Sequence, residues 1–215
     1  MNMTFWEEKF ELKISSIATS EDPAHDLSHF KRVVASAKRL CALENGCFEV
    51  VVPAAWLHDF VIIPKNSPLR NQASRLSAEQ AVDFLKSIDY PGEYHEAIAH
   101  AIEGHSFSAN IDLKTLEAKI VQDADRLDGL GAIGIARCFA TAGLLKRDFY
   151  SNQDPFCTER LPDDSKFTID HFYKKLFKTV DTLKTNSGKA EGQKRILIMK
   201  DYLNYLKDEI TELYL

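Results

Sequence analysis

The chain has 215 residues, 45% of them hydrophobic and 27% charged, with a formal net charge of −5. That composition is ordinary for a folded globular protein with a substantial core, and the acidic balance argues against a nucleic-acid polymer as partner, which needs a basic face. The four cysteines form neither a C-x-x-C pair nor a dense framework, so a disulfide scaffold is disfavoured and reduced thiols in a cytoplasmic protein are expected.

Helical periodicity dominates, with no convincing run of alternating strand residues. Thr4 to about Ala18 predicts a first amphipathic helix. Glu7, Glu8, Lys9, Glu11 and Lys13 interrupt its apolar residues, so Met1 to Ile17 lacks the continuous apolar segment of a signal peptide. Asp26 to Glu44 predicts a second helix, ended near Asn45-Gly46 by residues that tolerate left-handed geometry. Glu49 to Phe60 is short, apolar and partly β-branched. Its length and the Ala54-Ala55 pair after Pro53 favour a buried helix over a strand.

Ile62 to Gln72 carries Pro64, Asn66, Ser67, Pro68 and Asn71 and predicts a loop. Ser77 to Ile88 predicts a helix, with Ser77 and Gln80 at the cap and third positions of a capping box. After the turn Tyr90-Pro91-Gly92, helices are expected over Glu93 to His105 and Leu113 to about Phe139. Arg147 to Lys166 reads as an irregular excursion, and Asp170 to Thr182 and Ala190 to Leu213 complete the helical set. No stretch approaches the ~18 uninterrupted apolar residues of a membrane span. The expectation is one all-α domain over residues 1–215, with no membrane partner.

The residues that carry chemistry begin with His58-Asp59, at the end of the apolar run 50–60. An ionised carboxylate is costly to bury unless positive charge stands against it, so this segment predicts a cation or a basic partner. Three further signals point to a cation: His25-Asp26-Leu27-Ser28-His29, Gly104-His105, and Asp123-Ala124-Asp125-Arg126-Leu127-Asp128. His25 and His29 lie four residues apart, on one side of a helix start, and Val33, Val34 and Ala37 put His29 on the inward face. Taken alone, a histidine there is more often a hydrogen-bonded core residue. Asp123 falls inside the stripe of Leu113, Leu116, Ile120, Leu127 and Leu130, while Asp125 and Asp128 lie on its flank. Arg126 can neutralise only one of these three carboxylates. Periodicity leaves Asp123 and Asp125 equally open as a ligand.

The order H-D-x-x-H, A-A-x-L-H-D, H-S-F-S and Q-D-A-D-R-L-D-G-L-G-A-I-G-I-A-R, from about Ala24 to Arg137, resembles the HD superfamily of metal-dependent phosphohydrolases, in its branch of small single-domain bacterial proteins. Asp170 to Arg195 is similar to that branch as well. The resemblance implies an HD-type helical bundle with a motif-bearing core at about 24–137 and C-terminal helices at about 170–213. It implies one divalent metal ion, held by His29, His58 and Asp59 and, through the pattern A-D-x-L on Ala124 to Leu127, by Asp125. Two imidazoles and two carboxylates suit Mn, Fe, Mg, Co or Ni better than a closed structural zinc site. Asp123 and Asp128 would then orient the ligating imidazoles, with an acid or base role as the alternative for Asp128.

The expected catalytic group is Asp59, Glu103, His105 and Asp128, with an ordinary surface glutamate as the equal alternative for Glu103. The H-S-F-S match favours His105 as the histidine near substrate, and Glu103 is a candidate general base. Some relatives carry a glutamate shortly after the His-Asp pair. Positions 60–63 here are Phe-Val-Ile-Ile, so activation of water would fall more heavily on the metal. A phosphoryl group needs cations around it, and Lys65, Arg70, Arg75 and His100 are the expected substrate contacts. The expected activity is hydrolysis of a phosphate ester or anhydride in a small phosphorylated substrate, a nucleotide mono- or triphosphate by resemblance. The alternative is a metal- or nucleotide-binding regulatory module with little turnover. Self-association is left open.

Overall fold

The computed structural model describes residues 1–18, 26–63, 70–106 and 111–212. Two compact units are present: Met1–Asp125 with Lys184–Gly188, and Arg126–Leu183 with Lys189–Leu215. Among the described residues every regular element is helical, and strand pairing is limited to one isolated bridge between Asp148 and Phe167. The fold is all-α. No single described helix is long and apolar enough to cross a membrane.

The first unit is built around α3 (Phe48–Leu57), which is buried along 50–57 and packs against α1 (Met3–Ser15), α2 (Leu27–Glu44) and α5 (His95–His105). A helix that is apolar all round has to sit at the centre of a core, and hydrophobic burial stabilises it there at roughly 25 cal/mol per Å². Pro53 lies inside α3. It removes one backbone donor and leaves the carbonyl four residues back without its usual partner. That carbonyl belongs to Glu49, and the Tyr90 hydroxyl donates to it at 2.7 Å. The exception made by proline is therefore satisfied by a side chain from outside the helix.

Helix α2 begins as its sequence predicts: the Asp26 side chain accepts from the His29 backbone N–H at 2.8 Å. It ends on Asn45 in the left-handed region, with φ 58° and ψ 39°. Helix α4 (Ala73–Ser87) starts four residues before the expected Ser77. Ser77 is buried within it, and its hydroxyl accepts from the Val61 N–H at 3.0 Å, so the predicted capping box does not form. A tertiary donor claims the hydroxyl that local pattern assigned to a cap.

The expected helix from Leu113 to Phe139 is two helices, α6 (Leu116–Asp128) and α7 (Gly131–Leu144). The break falls at Gly129-Leu130, and Gly131 takes a positive φ of 71°, which favours glycine. A Cβ at Gly134 would lie 2.3 Å from the Gly129 carbonyl oxygen, so only glycine permits this close return.

In the second unit Arg195 donates to the Leu127 carbonyl at 2.6 Å, and Arg126 to the Thr182 carbonyl at 2.7 Å. The irregular 147–166 stretch is followed by a π-helical turn (Phe172–Leu176), a short α8 (Phe177–Thr179) and a 3₁₀ turn (Val180–Thr182), where the sequence predicted one helix. The long α9 (Asn186–Glu212) begins four residues before the expected Ala190. Asp170 is fully buried and takes a two-pronged ion pair from Arg160, one arm at 2.7 Å, plus the Asp163 N–H at 2.6 Å.

Candidate metal centre

His29, His58, Asp59, His105 and Asp125 converge in the first unit. His29 comes from the first turn of α2, His58 and Asp59 from the end of α3, His105 from the last residue of α5, and Asp125 from α6. His29, His58 and His105 are 1%, 0% and 6% exposed. The Nε2 atoms of His29 and His58 face each other at 3.3 Å. Asp125 Oδ1 lies 3.7 Å from His29 Nε2 and 3.8 Å from His58 Nε2. Asp59 faces two ways, with Oδ2 3.6 Å from His58 Nε2 and Oδ1 3.4 Å from His105 Nε2.

Two ligand-type triads result, His29/His58/Asp125 and His58/Asp59/His105, in each of which the donor atoms lie within 4.8 Å of one another. His58 belongs to both.

Backbone carbonyls orient two of these rings. His58 Nδ1 is 2.8 Å from the Ala55 carbonyl, and His105 Nδ1 is 2.6 Å from the Ile102 carbonyl, each three residues back in its own helix. A carbonyl can only accept, so both Nδ1 atoms carry the hydrogen and both Nε2 atoms turn to the cluster. The sequence assigned this orienting role to aspartates. Backbone groups leave no mark in residue identity, which is why that pattern was not legible.

Charge follows the same geometry. Burial pushes the His58 imidazole down to about 4, against the opposing pull of Asp59. It is therefore neutral near pH 7 and presents a lone pair. Burial would also lower His105, but the hydrogen bond and charge of Asp59, with the charge of Asp125, outweigh it and raise this imidazole above its ordinary value. Burial would raise Asp125, yet His58, His29 and His105 hold its carboxyl below the ordinary value. Lone pairs and carboxylate oxygens crowd together here, an arrangement that attracts positive charge.

The other two aspartates of this helix have partners of their own. Asp123 is fully buried and accepts from the Lys184 N–H at 2.8 Å, the Thr185 N–H at 2.8 Å and the Thr185 hydroxyl at 2.7 Å, anchoring the segment that enters α9. Asp128, in the second unit, forms an ion pair with Arg137 at 2.6 Å. Of the remaining sequence candidates, His100 accepts from the Lys114 N–H at 3.1 Å, and Glu103 is half-buried on α5 two residues before His105. Arg75 is exposed on α4 and donates to Glu79 at 3.2 Å and Gln72 at 3.1 Å. His25, Lys65, Ser67 and the side chain of Arg70 lie outside the described residues.

The HD domain profile matches residues 26–130. The chain is 28% identical over 207 residues to the Bacillus subtilis protein YpgQ, covering 94% of this chain and 93% of that protein. A crystal structure of YpgQ in complex with ADP superposes with a TM-score of 0.73 at 27% identity, covering 94% of this chain and 97% of that one. An HD-superfamily hydrolase from Bacillus thuringiensis is 31% identical, with a TM-score of 0.71 and coverage of 95% and 98%. By that identity along nearly its whole length, the chain belongs to the HD superfamily of hydrolases.

Proposed function

We propose that the protein is a metal-dependent phosphohydrolase acting on a small phosphorylated substrate, a nucleotide, with one divalent cation held by His29, His58, Asp59 and Asp125. The observation that carries this reading is the 3.3 Å approach of His29 and His58 Nε2 with two carboxylates close by. Because the Nδ1 of His58 is committed to the Ala55 carbonyl, a neutral His58 can offer only a lone pair at Nε2. Lone pairs and carboxylate oxygens repel at such distances unless a cation or shared protons lie among them. The donor set, imidazole nitrogen and carboxylate oxygen without thiolate, fits Mn, Fe, Mg, Co or Ni.

When bound, such a cation polarises a phosphate oxygen and lowers the pKa of water. The chain's own residues supply the rest. Asp59, which faces His58 and His105 with different oxygens, fixes the His105 Nε2 beside the cluster, where it can hold or deliver a proton. Glu103 is the next group on that helix able to accept one. Lys65 and Arg70, close in sequence to His58-Asp59, are assigned to phosphate binding through charge-assisted hydrogen bonds. The nucleotide assignment is supported by the complex of YpgQ with ADP at 27% identity over nearly the full chain.

A phosphate- and pyrophosphate-release screen over nucleoside mono-, di- and triphosphates tests the reading. Turnover that appears with an added divalent cation and vanishes on chelation is expected. Absence of release from every nucleotide across the five candidate metals would contradict it and favour a binding module.

A further inference from the structure

The second unit carries a feature that the proposed hydrolase reading leaves unused. An open cleft of about 610 Å³ is lined by Arg147, Asp148, Phe149, Tyr150, Asn152 and Phe167, all from the second unit. Its floor is pinned by the bridge between Asp148 and Phe167: the Asp148 N–H donates to the Lys166 carbonyl at 3.1 Å, and the Thr168 N–H to the Asp148 carbonyl at 2.8 Å. Aromatic side chains ordinarily pack inward, and Phe149, Tyr150 and Phe167 all line this cleft. Phe149 is instead 66% exposed, while Arg160 lies over the Phe167 ring at 5.0 Å.

Arg147 is the second observation. It forms no ion pair with any described carboxylate, and its Nε–H is buried without a hydrogen-bond partner. Buried donors in folded proteins nearly always have a partner, and a guanidinium can offer its parallel N–H groups to two oxygens of a phosphate. Lys175 also lacks a carboxylate partner, and both cations act on the half-buried His171 imidazole, which Asp164 contacts at 2.8 Å.

We propose that this cleft binds a nucleoside phosphate without any metal, the phosphate on Arg147 and the base stacked on the exposed aromatic wall. Every nucleobase has a π face, and base stacking on aromatic side chains is effective and tolerant of base identity. The Asn152 amide and Asp148 carboxylate supply acceptors for base amino or sugar hydroxyl groups. The volume lies within the range of small-molecule sites. Binding here does not depend on the cation held by the first unit.

ADP titrated calorimetrically into the full chain in excess chelator tests the proposal. Binding should persist without metal and be unchanged in Asp59→Asn. Removing a charge-assisted contact should weaken affinity by about tenfold to a hundredfold in Arg147→Ala. Phe149→Ala should also weaken ADP with at most a small fall in melting temperature, because that ring is 66% exposed and meets the Phe139 ring edge-on. Inorganic phosphate should bind much more weakly than ADP if the aromatic wall contributes. No metal-free ADP binding would overturn the proposal, as would affinity unchanged in both Arg147→Ala and Phe149→Ala, or lost in Asp59→Asn. Because metal is excluded throughout, these results are independent of whether the first unit hydrolyses nucleotides.

Discussion

His29 and His58 turn their Nε2 atoms toward each other across 3.3 Å from two different helices, 29 residues apart in sequence. Two buried imidazoles in that relation need either a proton shared between the two nitrogens or a cation held between them. Chelation should therefore lower the melting temperature of the protein as purified, since a ligand that binds only the folded state stabilises it by mass action. A melting curve unchanged after confirmed metal loss would contradict a structural contribution from the cation.

His105 meets Asp59 at 3.4 Å and belongs to the His58/Asp59/His105 triad, not to the His29/His58/Asp125 triad. We expect His105→Ala to retain most of the metal while kcat/KM falls by about tenfold to a hundredfold, the scale of a lost charge-assisted hydrogen bond. Lys65→Ala and Arg70→Ala should behave alike if they hold phosphate. Steady-state kinetics with parallel metal analysis checks all three, and wild-type kinetics throughout would move the phosphate to other cations.

Asp123 is a test of structure rather than chemistry. Its carboxylate gathers two backbone N–H groups and a hydroxyl from Lys184 and Thr185, and a Cβ at Gly188 would fall 2.4 Å from its Oδ2. Asp123→Ala leaves those donors buried without an acceptor and should cost about 3 kcal/mol. Gly188→Ala should cost about 1–3 kcal/mol through overpacking. Urea unfolding reads both, and stability within error of wild type would show that the segment can leave α6 without penalty.

The Arg160–Asp170 pair predicts an acid-sensitive contribution. Burial would raise the Asp170 carboxyl, but the Arg160 fork and the Asp163 N–H outweigh it and hold it below its ordinary 3.8. A depressed native value means that the unfolded chain binds this proton more readily. The stabilisation is thus present above the unfolded value and lost as pH falls through the folded one. Asp170→Asn should be less stable than wild type by about 2 kcal/mol at neutral pH, with the gap narrowing below about pH 4. A gap independent of pH would show that the charge of Asp170 is not what stabilises this region.

Local signals made much of the helical framework legible. Asp26 caps α2 and Asn45 ends it in the left-handed region, both as residue type predicts. The packing of Ser77 against Val61 and the close return of Gly134 on Gly129 are tertiary events, and no window of sequence contains them. At the site, periodicity could not separate Asp123 from Asp125, because both lie near the apolar stripe of one helix. The resemblance points to Asp125 through A-D-x-L, and the geometry gives the two different partners: Asp125 Oδ1 comes within 4 Å of two imidazoles, while Asp123 holds backbone amides. The carbonyls of Ala55 and Ile102, which set the two ring orientations, belong to residues whose side chains carry no chemistry.

Elemental analysis of Asp59→Ala beside wild type, both purified without chelator, asks whether His29, His58, Asp59 and Asp125 together hold one cation. About one divalent ion per chain is expected in the wild type, as four ligands around a single centre require, and a near-complete loss in the variant with its helical content preserved. A folded Asp59→Ala protein that kept the full wild-type complement of metal would contradict that assignment.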